Sequence, residues 1–98
     1  MQHDRNRITD LSDLRDFIYT KLCEHNDFAL GAFQTSERIL IRAGEPCGVY
    51  FCLHGPRSLK LTAIWETDKN SILFYGEHGE RIQRVHLSHH VSLEPVAA

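Results

Sequence analysis

Hydrophobic positions change their spacing once along this chain. Through residues 9 to 25, TDLSDLRDFIYTKLCEH, the side chains Leu11, Leu14, Ile18 and Leu22 recur at three- and four-residue steps, and Phe17 widens the stripe. That spacing predicts one helix. Thr9 or Asp10 is placed to cap its first turn by accepting a backbone N–H. Asp10, Asp13 and Asp16 near its start, with Lys21 and His25 near its end, suit the helix dipole. Asn26 is a residue type that takes left-handed backbone where helices stop.

From Phe28 onward the period is two. FALGAFQ predicts a weak strand, ERILIRA a better one with Ile39 and Ile41 on one face, and GEPCG a turn. VYFCLH is a strong strand that stops at GPR, because Pro56 has no N–H to give to a ladder. SLKLTAIWE sets Leu59, Leu61, Ala63 and Trp65 against Lys60, Thr62 and Glu66. TDKN reads as a loop, and SILFYG as a central strand, apolar on both faces. EHGE is a tight turn around Gly79, and RIQRVHL is the last strand. Short connections imply antiparallel neighbours. The predicted fold class is α+β: one N-terminal helix packed on a five- to six-stranded antiparallel meander, with strong curvature toward a half-barrel as a variant. Residues 1–8 read as a flexible lead, 9–88 as a single domain and 89–98 as a frayed tail.

Composition narrows the functions this fold can carry. With 98 residues there is room for one core, and a deep private cleft is hard to build at that size. The net charge of −2 lacks the basic excess that a large nucleic-acid footprint requires, so nucleic acid is an unlikely partner. A local basic set, Arg38, Arg42, Arg57 and Lys60, reads as a solvated strand face. No apolar run approaches the roughly 20 residues that span a bilayer, which argues against a membrane, and the polar MQHDRNRITD is not a signal peptide. Three cysteines without framework spacing fit free thiols in a reducing cytoplasm. The seven histidines bear first on solubility near neutral pH.

The densest chemistry lies in PCGVYFCLHGPR, residues 46–57. On a strand, Val49, Phe51 and Leu53 point one way and Tyr50, Cys52 and His54 the other. Cys47 has the parity of the first set, so without a bulge it lies opposite Cys52 and no disulfide or joint metal site forms. Cys52 and His54 share a face, but two strand positions separate Cα atoms by roughly 6.5–7 Å, long for a thiol–imidazole contact. A cysteine-dependent enzyme centred on these two residues would need a base from elsewhere, and a buried cysteine acting as a small hydrophobe is the plainer reading. CEH at 23–25 with CLH at 52–54 supplies the two cysteines and two histidines that zinc favours. Residues two apart on a helix diverge, however, and zinc spacings are missing. HLSHH at 86–90 reads as a strand end. No P-loop or dinucleotide fingerprint is present. No cofactor, metal or catalytic residue is therefore expected.

One helix covers one face of such a sheet. The other face should hold Tyr50, Cys52, His54, Thr62 and Ile64, with either Leu73 and Tyr75 or Ile72 and Phe74. This mixture is too apolar to leave bare and too polar for a plain core. It points to a non-catalytic self-associating or partner-binding module, whose partner is a second copy or another protein. Against it stands a sheet that curls enough to cover itself. A further alternative is a small-ligand or anion pocket, with Tyr50, His54 and Trp65 at its mouth and Arg57 supplying the charge.

Overall fold

The computed structural model describes residues 8–91. Asp10 caps the helix α1 (Leu11–His25), its carboxylate accepting from the Asp13 N–H at 2.8 Å. The Asp13 carboxylate accepts in turn from the N–H and hydroxyl of Thr9, at 3.3 and 3.2 Å. The helix stops one residue differently from expectation. Asn26 keeps a negative φ of −125° and donates its amide to the Leu22 carbonyl at 3.0 Å, while Asp27 takes the left-handed conformation at φ 56°. FALGAFQ does not form a strand. Ala32 N–H closes a turn onto Ala29, Gly31 sits at φ 80°, and the Phe28 and Phe33 rings stack at 4.8 Å. Two alanines and a glycine leave that stretch too little side chain to hold a pleated ladder.

Five strands follow: β1 (Gln34–Arg42), β2 (Glu45–His54), β3 (Lys60–Glu66), β4 (Ser71–Tyr75) and β5 (Arg81–His86). All neighbours are antiparallel, in the order β1-β2-β3-β4-β5, so the sheet is an open meander with β1 and β5 as free edges. The β1–β2 turn is Ala43–Gly44, with φ of 52° and 81°, the two left-handed residues of a tight hairpin. The turn therefore precedes most of GEPCG, and Pro46 and Cys47 lie inside β2. Leu40 pairs with Gly48 and Ile41 with Pro46, which leaves Cys47 as the extra residue of a bulge. The Cys47 carbonyl accepts from both the N–H and the hydroxyl of Thr67, at 3.1 and 3.0 Å.

Register sorts the side chains into rows. On the helix side one row runs Ile39, Val49, Trp65, Ile72, Val85, and the next runs Glu37, Phe51, Ala63, Phe74, Gln83. Leu14, Phe17, Ile18, Leu22 and Cys23 of α1 bury against the middle of these rows. Removing that much apolar surface from water is the main stabilising term. Ile8 and Val91 are also in this core, so packed chain reaches both ends of the described residues; the expected lead at 1–7 and tail at 92–98 lie outside them. Asn70 secures the segment after β5. It accepts from the Trp65 indole N–H at 3.2 Å, donates to the His89 carbonyl at 2.7 Å, and accepts from the Leu87 N–H at 2.9 Å.

The helix reaches the edge strand through polar contacts. Arg15 forks onto Glu37, Nε to Oε2 at 2.6 Å and Nη2 to Oε1 at 3.0 Å. The Tyr19 hydroxyl donates to the Ser36 carbonyl at 3.2 Å and lies 3.3 Å from Glu37 Oε2. Past Glu37, β1 runs beyond the helix, and Ile39 and Ile41 are 52 and 59 % exposed. Among the described residues no helix is long and apolar enough to cross a membrane.

Two stability measurements follow. A Cβ at Gly48 would run into the backbone carbonyl of Trp65, so Gly48→Ala should lower the unfolding free energy by about 1–3 kcal/mol, read as an earlier urea midpoint. Burial, with the Glu37 carboxylate adding to it, pushes the Tyr19 phenol well above the ordinary tyrosine range. The folded chain thus holds this proton more tightly than the unfolded chain does. The resulting stability is complete below pH ~10, the unfolded value, and is lost as pH rises beyond it. Melting temperature should fall above that pH, and Tyr19→Phe should flatten the fall.

Candidate functional site

No described element lies over the second face of the sheet, and register fixes what it presents. The central row runs Arg38, Tyr50, Ile64, Leu73, Arg84, an apolar middle between two cations. Beside it Ser36, Cys52, Thr62 and Tyr75 align, then Gln34, His54 and Lys60. On the other flank lie Leu40, Gly48, Glu66, Ser71 and His86. SILFYG therefore contributes Leu73 and Tyr75 here and gives Ile72 and Phe74 to the core.

The structure thus brings Tyr50, Cys52, His54, Thr62 and Ile64 onto one surface. Arg57 is not with them. It sits in the short turn after β2 at φ 58° and lines a separate depression of about 370 Å³ with Phe28, Pro56, Leu59 and Glu77. Trp65 is not at a pocket mouth either, since it is fully buried on the helix side. Its place in the alternation with Leu61 and Ala63 already put it there once β3 packed those two inward.

A concave region of about 340 Å³ opens over Cys52, lined by Ser36, Glu37, Arg38, Tyr50, Cys52, His54 and Lys60. Ser36 Oγ and His54 Nε2 are hydrogen-bonded at 2.9 Å, a cross-strand diagonal contact. The Arg38 guanidinium stacks over the Tyr50 ring at 5.4 Å. Burial pushes the Tyr50 phenol up, the neighbouring Cys52 side chain adds to this, and Arg38 pulls the other way. Ser36, Arg38 and Lys60 were not singled out as a set by pattern alone. Their convergence depends on the β1 register, which the Ala43–Gly44 turn and the Cys47 bulge set.

The bulge also moves Cys47. It lines a depression of about 210 Å³ with Leu40, Ile64 and Glu66, side chains of the uncovered face, rather than joining Val49 and Phe51. Cys23 and His25 belong to the helix side, where His25 meets Gln83 at 3.2 Å and packs edge-on against Phe74. The sheet stands between them and Cys52 with His54, so the CEH and CLH groups do not converge. His86 bonds the buried Ser71 hydroxyl at 2.9 Å, and the backbone of His89 is held by Asn70, which spends the HLSHH segment on strand-end contacts.

His54 turns its bonded nitrogen to a serine. As chemistry, the surface offers hydroxyls, an imidazole and cations around an apolar strip. Among the described residues no acid meets the second imidazole nitrogen of His54, and a serine–histidine contact of that kind is a weaker nucleophile pair than one oriented by a carboxylate. Comparisons with known protein families, with curated proteins and with solved structures return no match.

Thiol accessibility separates these readings. Cys23 and Cys52 are 4 and 3 % exposed, Cys47 is half-buried, and burial pushes the Cys23 thiol up. Iodoacetamide at neutral pH should label Cys47 first and the other two only as fast as the chain opens. Rapid labelling of Cys52 in the folded chain, read by peptide mass mapping, would restore it as an activated nucleophile.

Proposed function

We propose that this protein is a non-catalytic binding module that works through its uncovered sheet face, with a second copy of itself or another protein as partner. The observation that carries the reading is the row Arg38, Tyr50, Ile64, Leu73, Arg84. An apolar centre with an aromatic ring and cationic ends is the composition of an interface core and its rim. The middle of the face lies on β2, β3 and β4, each paired on both sides, so little backbone entropy is lost when it is covered. Three free cysteines, two of them buried, support a reducing compartment, and we place the protein in the cytoplasm on that basis.

Sedimentation equilibrium tests self-association. The wild type should form a dimer at concentrations up to roughly 100 µM, a range corresponding to about 5–6 kcal/mol of association energy. Tyr50→Asp and Ile64→Asp should each weaken it by at least about tenfold, with the circular dichroism spectrum unchanged. A wild type that stays monomeric removes the second copy as partner. Pull-down with wild-type and Ile64→Asp baits then decides on another protein, and equal recovery by the two baits would sink the reading.

A further inference from the structure

The corner of the uncovered face above Cys52 has a charge imbalance that the fold does not resolve. Arg15 and Arg42 each hold a carboxylate, Glu37 and Asp68, at 2.6 and 2.7 Å. Arg38 and Lys60 hold none among the described residues, yet both line the same concavity of about 340 Å³. Glu37 is the only acid among the lining residues, and its carboxylate is bound by Arg15 and Tyr19 on the opposite side of the strand. Two positive charges therefore face a hollow in which, among the described residues, the one lining carboxylate is already bound elsewhere.

The donors around that hollow are already arranged. Lys60 is directly across from His54, and Ser36 directly across from Cys52, which puts each pair of Cβ atoms about 5 Å apart. The Ser36–His54 hydrogen bond orients the hydroxyl and the imidazole toward each other. The Arg38 guanidinium lies over the Tyr50 ring at 5.4 Å, a cation–π contact that restricts it. The Tyr50 hydroxyl completes the set. Ordering these groups before a ligand arrives lowers the entropic cost of binding one.

We infer that this hollow is a phosphate-binding subsite, and that its ligand is a small phosphate monoester or free phosphate. A carboxylate has two oxygens to share. A phosphoryl group has three terminal oxygens and close to two negative charges at neutral pH, which matches two cations plus hydroxyl and imidazole partners. The volume is at the low end of ligand pockets, enough for a phosphoryl group carrying a few carbons. The inference deepens the binding-module reading by assigning chemistry to one corner of the same face. It does not require a second copy.

The test is titration of the ¹⁵N-labelled chain, followed by amide chemical shifts, with inorganic phosphate, with glycerol phosphate and with sodium chloride at matched ionic strength. Phosphate in either form should shift residues 36–38, 50–54 and 60 with saturation, and chloride should not. Arg38→Ala and Lys60→Ala, both exposed side chains whose spectra report directly on folding, should each weaken binding about tenfold or more. Arg57→Ala, in the separate depression after β2, should leave it unchanged. Tighter binding of glycerol phosphate supports a monoester ligand, and equal or weaker binding supports phosphate itself. Shifts that fail to saturate, that chloride reproduces, or that Arg57→Ala weakens as much as Lys60→Ala would overturn the subsite. Repeating the titration on Ile64→Asp separates the two proposals. Saturation in a chain that does not associate upholds the subsite alone, and association without saturation upholds only the interface.

Discussion

A helix of 15 residues is roughly 22 Å long, and it can shield one side of a five-stranded sheet but not both. The molecule is organised around that asymmetry. Trp65, Phe51 and Phe74 are fully buried beneath α1, and the alternation of strand side chains then commits every neighbouring position to the other side. Tyr50, Ile64 and Leu73 belong to the second face because Val49, Trp65 and Ile72 belong to the first, and of the three Leu73 is itself buried. The composition of the second face is a consequence of how the core is built, and a one-residue slip of any strand would exchange the two.

Charge follows the same division. On the helix Asp10, Asp13, Asp16 and Glu24 outnumber Arg15 and Lys21, while on the far side the rows carry Arg38, Arg84 and Lys60, with Glu66 a carboxylate of the flanking row. A net charge of −2 therefore averages over two unlike surfaces, and the whole-chain value says little about what the uncovered side attracts. Edge strand β1 contributes to both sides, giving Glu37 to the helix and Ser36 with Arg38 to the hollow.

Much of this was legible in the residue pattern, for physical reasons that differ by element. The helix and its Asp10 cap follow from a local stripe and a local hydrogen bond. β2 and β3 follow from alternation, which also placed Tyr50, Cys52, His54, Thr62 and Ile64 together, whereas β4 follows from an apolar run whose faces only the register assigns. Failures occurred where backbone conformation decided the outcome. FALGAFQ has strand-like spacing but too little side chain. The left-handed turn at Ala43–Gly44 shifted the start of β2, and the bulge at Cys47 moved that thiol to the other surface. Arg57 looked well placed only in linear distance, because a turn separates it from the strand it follows. The set Ser36, Arg38 and Lys60 joins β1 to β3 across the intervening β2, and no single stretch of sequence contains the register that unites it.

The free edge of β1 has a bearing on how the protein behaves when concentrated. Unpaired strand edges invite other chains to add on, and this one is nine residues long with two isoleucines bare. Its apolar run, Ile39 to Ile41, is only three residues, closed on either side by Arg38 and Arg42. Cross-β stacking draws on uncharged windows of about five to seven residues. The two arginines act as gatekeepers that keep this edge below that length, so fibril growth is resisted by the strand's own charges rather than by any element placed over it.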